Sequence, residues 1–324
     1  MESVLGYIFS TNFIVAILRM ATPLILCSMG VLLVRNSGVV CIAFEAMMLA
    51  ASIGGVLGSA YSQNLFVGLL SGVALSVLFA MIFGVFVLVL KANNMLVSLA
   101  LNTLGSGGSV FLLYALTGDR GNSFSLPSLV YPTVNIPIIQ DIPVLGEILS
   151  GHNAMTYVAI LSVPLVYVLL MKTPLGLQIR AVGENEHAVE SLGRSPLKIR
   201  FIALFIAGIF AGLAGTYLSM GYVSAFTRDM VAGRGYIATA AQNLGGFMPV
   251  PTFIWALIFG ASNAIANAFQ AINMPPEFLQ MFPYISTILG LLLVGMTINR
   301  KEEKKAREIE ERSRHLPDAP GKKE

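Results

Sequence analysis

The sequence has little charge. Asp, Glu, Lys and Arg make up 11% of its 324 residues, whereas hydrophobic side chains make up 56%. Soluble domains carry about 25% charged residues, so a soluble core does not account for this balance. The composition excludes an ordinary soluble protein and indicates an integral membrane protein.

Residues that support common enzyme chemistries are also scarce. The chain has 3 His and 2 Cys; the His residues lack metal-ligand spacing, and Cys27 and Cys41 lie in apolar stretches without a CxxC pair. No Gly-x-Ser-x-Gly elbow is present, and no Gly-x-x-x-x-Gly-Lys-Ser/Thr element could cradle ATP phosphates. We therefore expect no catalytic residue, no metal site and no cofactor in this chain.

Long apolar stretches dominate what is there. A spanning helix needs roughly 20 mostly apolar residues. Stretches of that kind lie near residues 13–34, 39–60, 65–90, 95–116, 153–171, 199–219, 232–248, 250–272 and 281–299. Because only helices and closed barrels satisfy their backbone in lipid, we predict an all-α, polytopic transmembrane helix bundle of about eight to ten spans, with residues 1–300 as one membrane domain.

Basic residues indicate the topology. They cluster in residues 172–200 and in the charged tail 301–324, and the positive-inside rule places both in the cytoplasm. The Pro-containing loop 118–152 then lies outside. We interpret the net charge of +3 as a sign of this topology rather than of nucleic-acid binding, and we expect the tail to be partly disordered.

The cytoplasmic loop 172–200 has an unusual pattern for a connection between two spans. Asn185 is placed to cap a short helix that starts at Glu186, and Gly193 is placed to end it. Such a helix would lie on the cytoplasmic side as a docking element. The alternative is a solvated loop that only joins two spans.

This loop closely resembles the coupling loop of ATP-binding cassette (ABC) importer permeases of the branched-chain amino acid and simple-sugar superfamily. That pattern runs T-x-x-G-x-x-x-R-A-V-G-E-N-x-x-A-A-x-x-x-G. The matching residues are Gly176, Arg180, Ala181, Val182, Gly183, Glu184, Asn185, Ala188 and Gly193. The resemblance implies that Gly183, Glu184, Asn185, Ala188 and Gly193 couple the permease to a separate ATPase, which binds ATP and Mg.

The resemblance extends over nearly the whole chain. Residues 36–49 are similar to the family's N-x-G-x-x-N-I-G-x-E-G-x-M-L signature, with departures at Cys41, Ala43 and Ala46. Residues 99–102 and 230–237 resemble the nucleoside branch, whose receptors are basic membrane lipoproteins. The family resemblance implies a type II-like importer permease in the cytoplasmic (inner) membrane. It also implies two partners: a second permease that is often a paralogue, and an extracytoplasmic substrate-binding lipoprotein.

Polar groups inside the spans are candidates for the solute path. They are Glu45, Asn102, Asn243 and Asn263. Gln242 and Asn267 are further amide side chains inside the same predicted spans. Amide groups can read sugar hydroxyls or base edges in an apolar site, but they also form interhelical hydrogen bonds. Glu45 should face the bundle interior, either as a protonated group bonded to a neighbouring carbonyl or as a contact for solute. Arg19 is one possible partner.

The resemblance implies import of nucleosides such as guanosine or adenosine, with ribose-like sugars or riboflavin as alternatives. An ion-coupled secondary transporter that uses Glu45 as a proton or cation site is an alternative of another class. A membrane scaffold without a transport role is a third, and it leaves the coupling loop without a purpose.

Overall fold

The computed structural model describes residues 11–119, 121–126, 128–134, 150–223, 225–270, 281–282, 285–292 and 296. The tail 301–324, residues 283–284, 293–295 and 297–299 of the predicted span 281–299, and residues 135–149 of the outer loop lie outside the described residues. The part that is described is almost entirely helical, which confirms the all-α prediction.

The helices are α1 (Thr11–Asn36), α2 (Phe44–Ser62), α3 (Leu65–Gly84), α4 (Asn94–Thr117), α5 (Ala154–Lys172), α6 (Pro174–Glu184), α7 (Glu186–Ser191), α8 (Pro196–Tyr217), α9 (Arg234–Leu244) and α10 (Pro249–Gln270). Two π-helical segments, Val85–Val89 and Leu218–Tyr222, extend α3 and α8. On the outer side, β1 (Thr133–Val134) pairs antiparallel with β2 (His152–Asn153).

Seven helices among the described residues are long and apolar enough to cross a membrane: α1 to α5, α8 and α10, with α3 and α8 lengthened by their π-helical segments. The predicted span 232–248 is wrong as a full helical crossing. It contains only α9, whose 11 residues rise about 16 Å, whereas the hydrocarbon core is about 30 Å thick.

The outer half of this crossing is not helical. Phe226 and Ser123 exchange hydrogen bonds at 2.8 and 2.9 Å, which ties its start to the outer loop. Left-handed residues then form a turn, with φ of 51° at Asp229, 49° at Ala232 and 78° at Gly233. Non-helical backbone at membrane depth is tolerated where protein surrounds it, so the chain crosses as a turn-rich outer half followed by the helical α9.

α1 lies at the centre of the bundle. It packs against α8, α10, α9 and α5, and every residue from Met20 to Val34 is buried. α1 is therefore shielded from lipid by its neighbours. α2 is nearly as buried, and it packs against α3, α8 and α4.

Small residues allow the closest helix contacts. A Cβ atom on Gly72 of α3 would lie 2.7 Å from the carbonyl oxygen of Ala51 in α2 and 2.3 Å from Cγ2 of Thr216 in α8. Gly54 and Gly58 of α2 similarly face α3. In lipid, such close approach of backbones replaces the hydrophobic effect as the source of helix association.

We predict that Gly72→Ala lowers the apparent melting temperature of the detergent-purified protein by several degrees, because the added methyl group forces α3 away from α2 and α8. Gly107→Ala is the matched control on α4, because no atom lies within 4 Å of its Cβ position. Alanine in an unopposed helical position stabilises by about 0.5–1 kcal/mol relative to glycine. Equal melting temperatures for the two variants would contradict the packing described here.

Candidate solute path and coupling surface

The first turn of α9 is held by the carboxyl group of Glu45. The backbone N–H of Gly233 donates to Oε1 at 2.8 Å, and the N–H of Gly235 donates to Oε2 at 2.9 Å. Glu45 is itself in the first turn of α2 and is 9% exposed. A carboxyl group at a helix N-terminus satisfies free N–H groups and interacts favourably with the helix dipole.

Both positions at this contact favour glycine, for different reasons. A Cβ atom on Gly235 would lie 2.6 Å from the backbone nitrogen of Glu45 and 2.8 Å from its Oε2. Gly233 has a φ of 78°, a left-handed conformation that favours glycine. Arg234 is the first residue of α9, and its side chain bonds to the preceding turn. Its Nη1 donates to the carbonyl oxygens of Met230 and Val231 at 3.0 Å. It therefore holds the turn before α9.

Asn102 of α4 holds the same region from the other side. Its Oδ1 accepts from the N–H of Ala46 at 3.1 Å, while its Nδ2 donates to the carbonyl oxygen of Ile42 at 3.1 Å and to the hydroxyl of Tyr236 at 2.8 Å. These bonds connect the start of α2 with the first turn of α9. The bond that Oδ1 accepts and both bonds that Nδ2 donates therefore go to protein groups.

A cavity of about 110 Å³ lies beside the second half of α9. It is enclosed by α1, by the non-helical segment between α1 and α2, and by α9. Its lining residues are Val31, Val34, Arg35, Val39, Val40, Cys41, Ile42, Phe44, Thr239, Gln242 and Asn243. Asn243 is exposed at its mouth, whereas Gln242 is fully buried.

The coupling loop forms two helices, α6 and α7, and the capping residues predicted the second of them. Asn185 ends α6 and caps α7, where its Oδ1 accepts from the N–H of Ala188 at 3.2 Å. Gly193, with a φ of 72°, follows α7 and donates to the carbonyl oxygen of Glu190 at 2.8 Å. Ile179, Val182 and Val189 bury the inner face. Its five predicted coupling residues, Gly183, Glu184, Asn185, Ala188 and Gly193, are all exposed.

The coupling loop is in direct contact with the turn after α1. A Cβ atom on Gly183 would lie 2.1 Å from the carbonyl oxygen of Asn36, and one on Gly38 would lie 3.2 Å from the Cα of Gly183. Arg200 adds a second connection, because its Nε donates to the carbonyl oxygen of Ser37 at 3.3 Å and its Nη1 lies 2.7 Å from Oε2 of Glu186. The loop and the turn therefore form one packed unit.

The same turn also contacts the segment after α9. Nδ2 of Asn36 donates to the carbonyl oxygen of Phe247 at 3.4 Å. The guanidinium of Arg35 lies 5.8 Å from the centre of the Phe247 ring, within cation–π range. Through these contacts the far end of α9 reaches the turn that carries the coupling loop.

The structure brings three of the four predicted path residues to the surroundings of α9: Glu45 and Asn102 near its start and Asn243 at its end. Asn263 lies on α10, where its Nδ2 donates to the carbonyl oxygen of Phe259 at 3.0 Å; its assignment to the solute path stays a prediction. Arg19, considered as a partner for Glu45, lines a separate cavity with His152.

Sequence reasoning missed two features of this region. The first is that Glu45 accepts bonds from backbone N–H groups rather than donating to a carbonyl. The second is the contact between Gly183 and the turn at Asn36 and Gly38. The sequence indicated this contact only in that Gly38 and Gly183 both match glycines of the family's two patterns.

Comparisons with known proteins agree on one family. The family model described as the permease component of branched-chain amino acid transport systems matches residues 13–295. The guanosine ABC transporter permease NupQ of Bacillus subtilis is 32% identical, over 85% of this chain and 89% of its own. TsgC13 of Haloferax volcanii, provisionally named a glucose ABC transporter permease, is 28% identical over 87% and 91%. The nucleoside permease NupC of Lactococcus lactis is 28% identical over 87% and 92%.

We predict that Glu45→Gln speeds amide hydrogen exchange at Gly233 and Gly235 by about 10-fold or more, because the substitution turns one of the two carboxyl acceptors into a donor. Exchange would be followed by mass spectrometry on the protein in nanodiscs. Glu190→Gln on the exposed face of α7 is the matched control. Unchanged exchange at both glycines would mean that Glu45 does not hold α9.

Proposed function

The chain belongs to the permease family of branched-chain amino acid transport systems and is an ABC importer permease, and on that premise we propose that it carries nucleosides such as guanosine or adenosine across the cytoplasmic membrane. The observation that carries this proposal is the similarity to NupQ over most of both chains. NupC supports the same solute class, while TsgC13 keeps sugars as the nearest competitors, with riboflavin as a further candidate.

The permease works with an ATPase and with a substrate-binding protein, as permease components of ABC importers do. In the proposed assembly ATP and Mg are bound by the ATPase, and a paralogue is the second permease subunit. A lipoprotein receptor delivers the solute to the outer face, which includes loop 118–152. Family membership favours this machinery over the ion-coupled secondary transporter considered from the sequence.

We assign the ATPase contact to the solvent-exposed cytoplasmic face of α6 and α7. Leu192, just after α7, is 80% exposed, and an exposed large apolar side chain beside polar ones is typical of a docking surface. Glu184 and Ala188 lie on the same exposed segment. The same segment contacts the turn at Asn36 through Gly183.

Movement of the ATPases would reach the solute path through this packing. A displacement of α6 and α7 pushes the turn at Asn36 and Gly38, because Gly183 leaves no free space between them. That turn leads directly into Glu45, which holds the start of α9. Rigid elements in contact transmit such displacements, so the proposed mechanism alternates access by moving α9 and the start of α2 together.

We predict that Glu184→Arg uncouples transport, because it reverses a charge on the ATPase-facing surface without touching the buried face. Vesicles that contain the complete complex should lose at least about 10-fold of ATP-dependent uptake, while the amount of permease in the membrane stays the same. Lys91→Glu, a charge reversal at the cytoplasmic end of α3, should leave uptake near the wild-type rate. Normal uptake by Glu184→Arg would refute the assigned surface.

The proposed solute is tested by ATP-dependent uptake of labelled guanosine into vesicles that contain the permease, its copurified partners and the receptor. Unlabelled adenosine, ribose and riboflavin serve as competitors. We expect adenosine alone among these to block uptake. Activity that appears only with a sugar or riboflavin would overturn the nucleoside assignment and keep the ABC machinery. Uptake without ATP and without a copurifying ATPase would overturn the proposed mechanism.

A further inference from the structure

Gln242 is a buried amide whose hydrogen-bonding groups are unused. Its side chain is 0% exposed, and neither Oε1 nor Nε2 has a hydrogen-bond partner within the part of the chain that the structure describes. Leaving a buried donor or acceptor unpaired is destabilising. Such a group needs either bound water or a ligand to explain it.

Gln242 lines the cavity beside α9, and the surroundings become less polar with depth. Asn243 and Val40 are exposed at the mouth, and Arg35 is half-buried there. Phe44 and Val34, by contrast, are 0% and 1% exposed. An apolar pocket with one well-placed amide at depth and polar groups at its opening has the composition of a small-molecule site.

The space exceeds what a single water needs. The cavity holds about 110 Å³, whereas one water needs on the order of 10–15 Å³ by a similar measure, and an engineered cavity of about 150 Å³ binds benzene. The cavity is therefore of the order of one aromatic ring. Its open mouth beside Asn243 allows a larger molecule to place one planar group inside and leave the remainder outside.

The chemistry of the amide restricts the group that it would bind. Gln presents one acceptor and one donor side by side, which matches a planar group with adjacent donor and acceptor atoms, such as the edge of a purine base. A sugar without a base offers hydroxyl groups but no such planar edge.

We infer that Gln242 is a specificity-determining contact for the base of the imported nucleoside, in a binding site formed by α1, the segment before α2 and α9. This inference rests on the proposed function. The edge of the base enters the cavity and pairs with the amide of Gln242, while the rest of the nucleoside lies at the mouth beside Asn243. Glu45 and Asn102 take no part in the contact, because they hold the protein groups described above.

The test compares Gln242→Met with wild type in the reconstituted complex with its ATPase and receptor. Met keeps the length of the side chain and removes both polar atoms. We expect the KM for guanosine to rise about 5-fold or more, the scale of one lost bidentate contact to a base. The melting temperature should stay equal or rise, because an orphaned buried amide is replaced by an apolar group. Gln63→Leu at the outer end of α2 is the control and should change neither value.

Other outcomes overturn the inference in distinguishable ways. An unchanged KM with an equal or higher melting temperature means that the cavity holds only water. An unchanged KM with a lower melting temperature means that Gln242 supports the fold. If Gln242→Met does not assemble, Gln242→Leu is measured in the same way. A wild-type complex that imports no nucleoside overturns the proposed function as well, whereas nucleoside import with unchanged KM in the variants overturns this inference alone.

Discussion

The arrangement of this permease depends on the contact between the carboxyl group of Glu45 and the first turn of α9. A helix of 11 residues within a membrane begins with free N–H groups that no lipid can satisfy. Glu45 accepts from two of the backbone groups at this end. Because Glu45 is also in the first turn of α2, this contact joins the starts of both helices. Asn102 then closes the same junction from α4.

That junction makes α9 the element that connects the two faces of the membrane domain. On the outer side, the segment that leads into α9 pairs with the outer loop through Ser123 and Phe226. On the inner side, the segment after α9 contacts Arg35 and Asn36 through Phe247. Asn36 in turn packs against Gly183 of the coupling loop. A receptor on one face and an ATPase on the other would therefore act on the same short helix.

The sequence was sufficient for the features whose causes are local. Apolar length predicted α1 to α5, α8 and α10, and the capping side chain of Asn185 predicted where α7 begins, because Asn185 bonds an N–H only three residues away. The coupling loop and the family were identifiable for the same reason, since their residues are consecutive.

The broken crossing could not be predicted in this way. A window over residues 232–248 contains enough small and apolar residues to resemble a span. The actual start of α9 is set by the left-handed turn at Gly233 and by Glu45, which is 188 residues away along the chain. No local pattern reports a partner at that distance. Asn102 can be identified in the sequence as a polar residue inside a span. Its bonds to Ile42 and Tyr236, however, depend on helices that meet only in the folded bundle.

Gln242 and Asn243 illustrate the remaining limit, because they are adjacent in sequence and share the same chemistry. Neighbouring residues on a helix point about 100° apart, so one is fully buried while the other is exposed. Only the position of α9 against α1 decides which of the two side chains is buried. The two ends of α9 consequently have different tasks. Its start is held through backbone N–H groups, which any helix provides, whereas its later turns carry side chains that can discriminate between ligands. In the proposed mechanism, holding the helix and choosing the solute are therefore separate functions of different residues, and α9 can be repositioned without losing the groups that we infer select the solute.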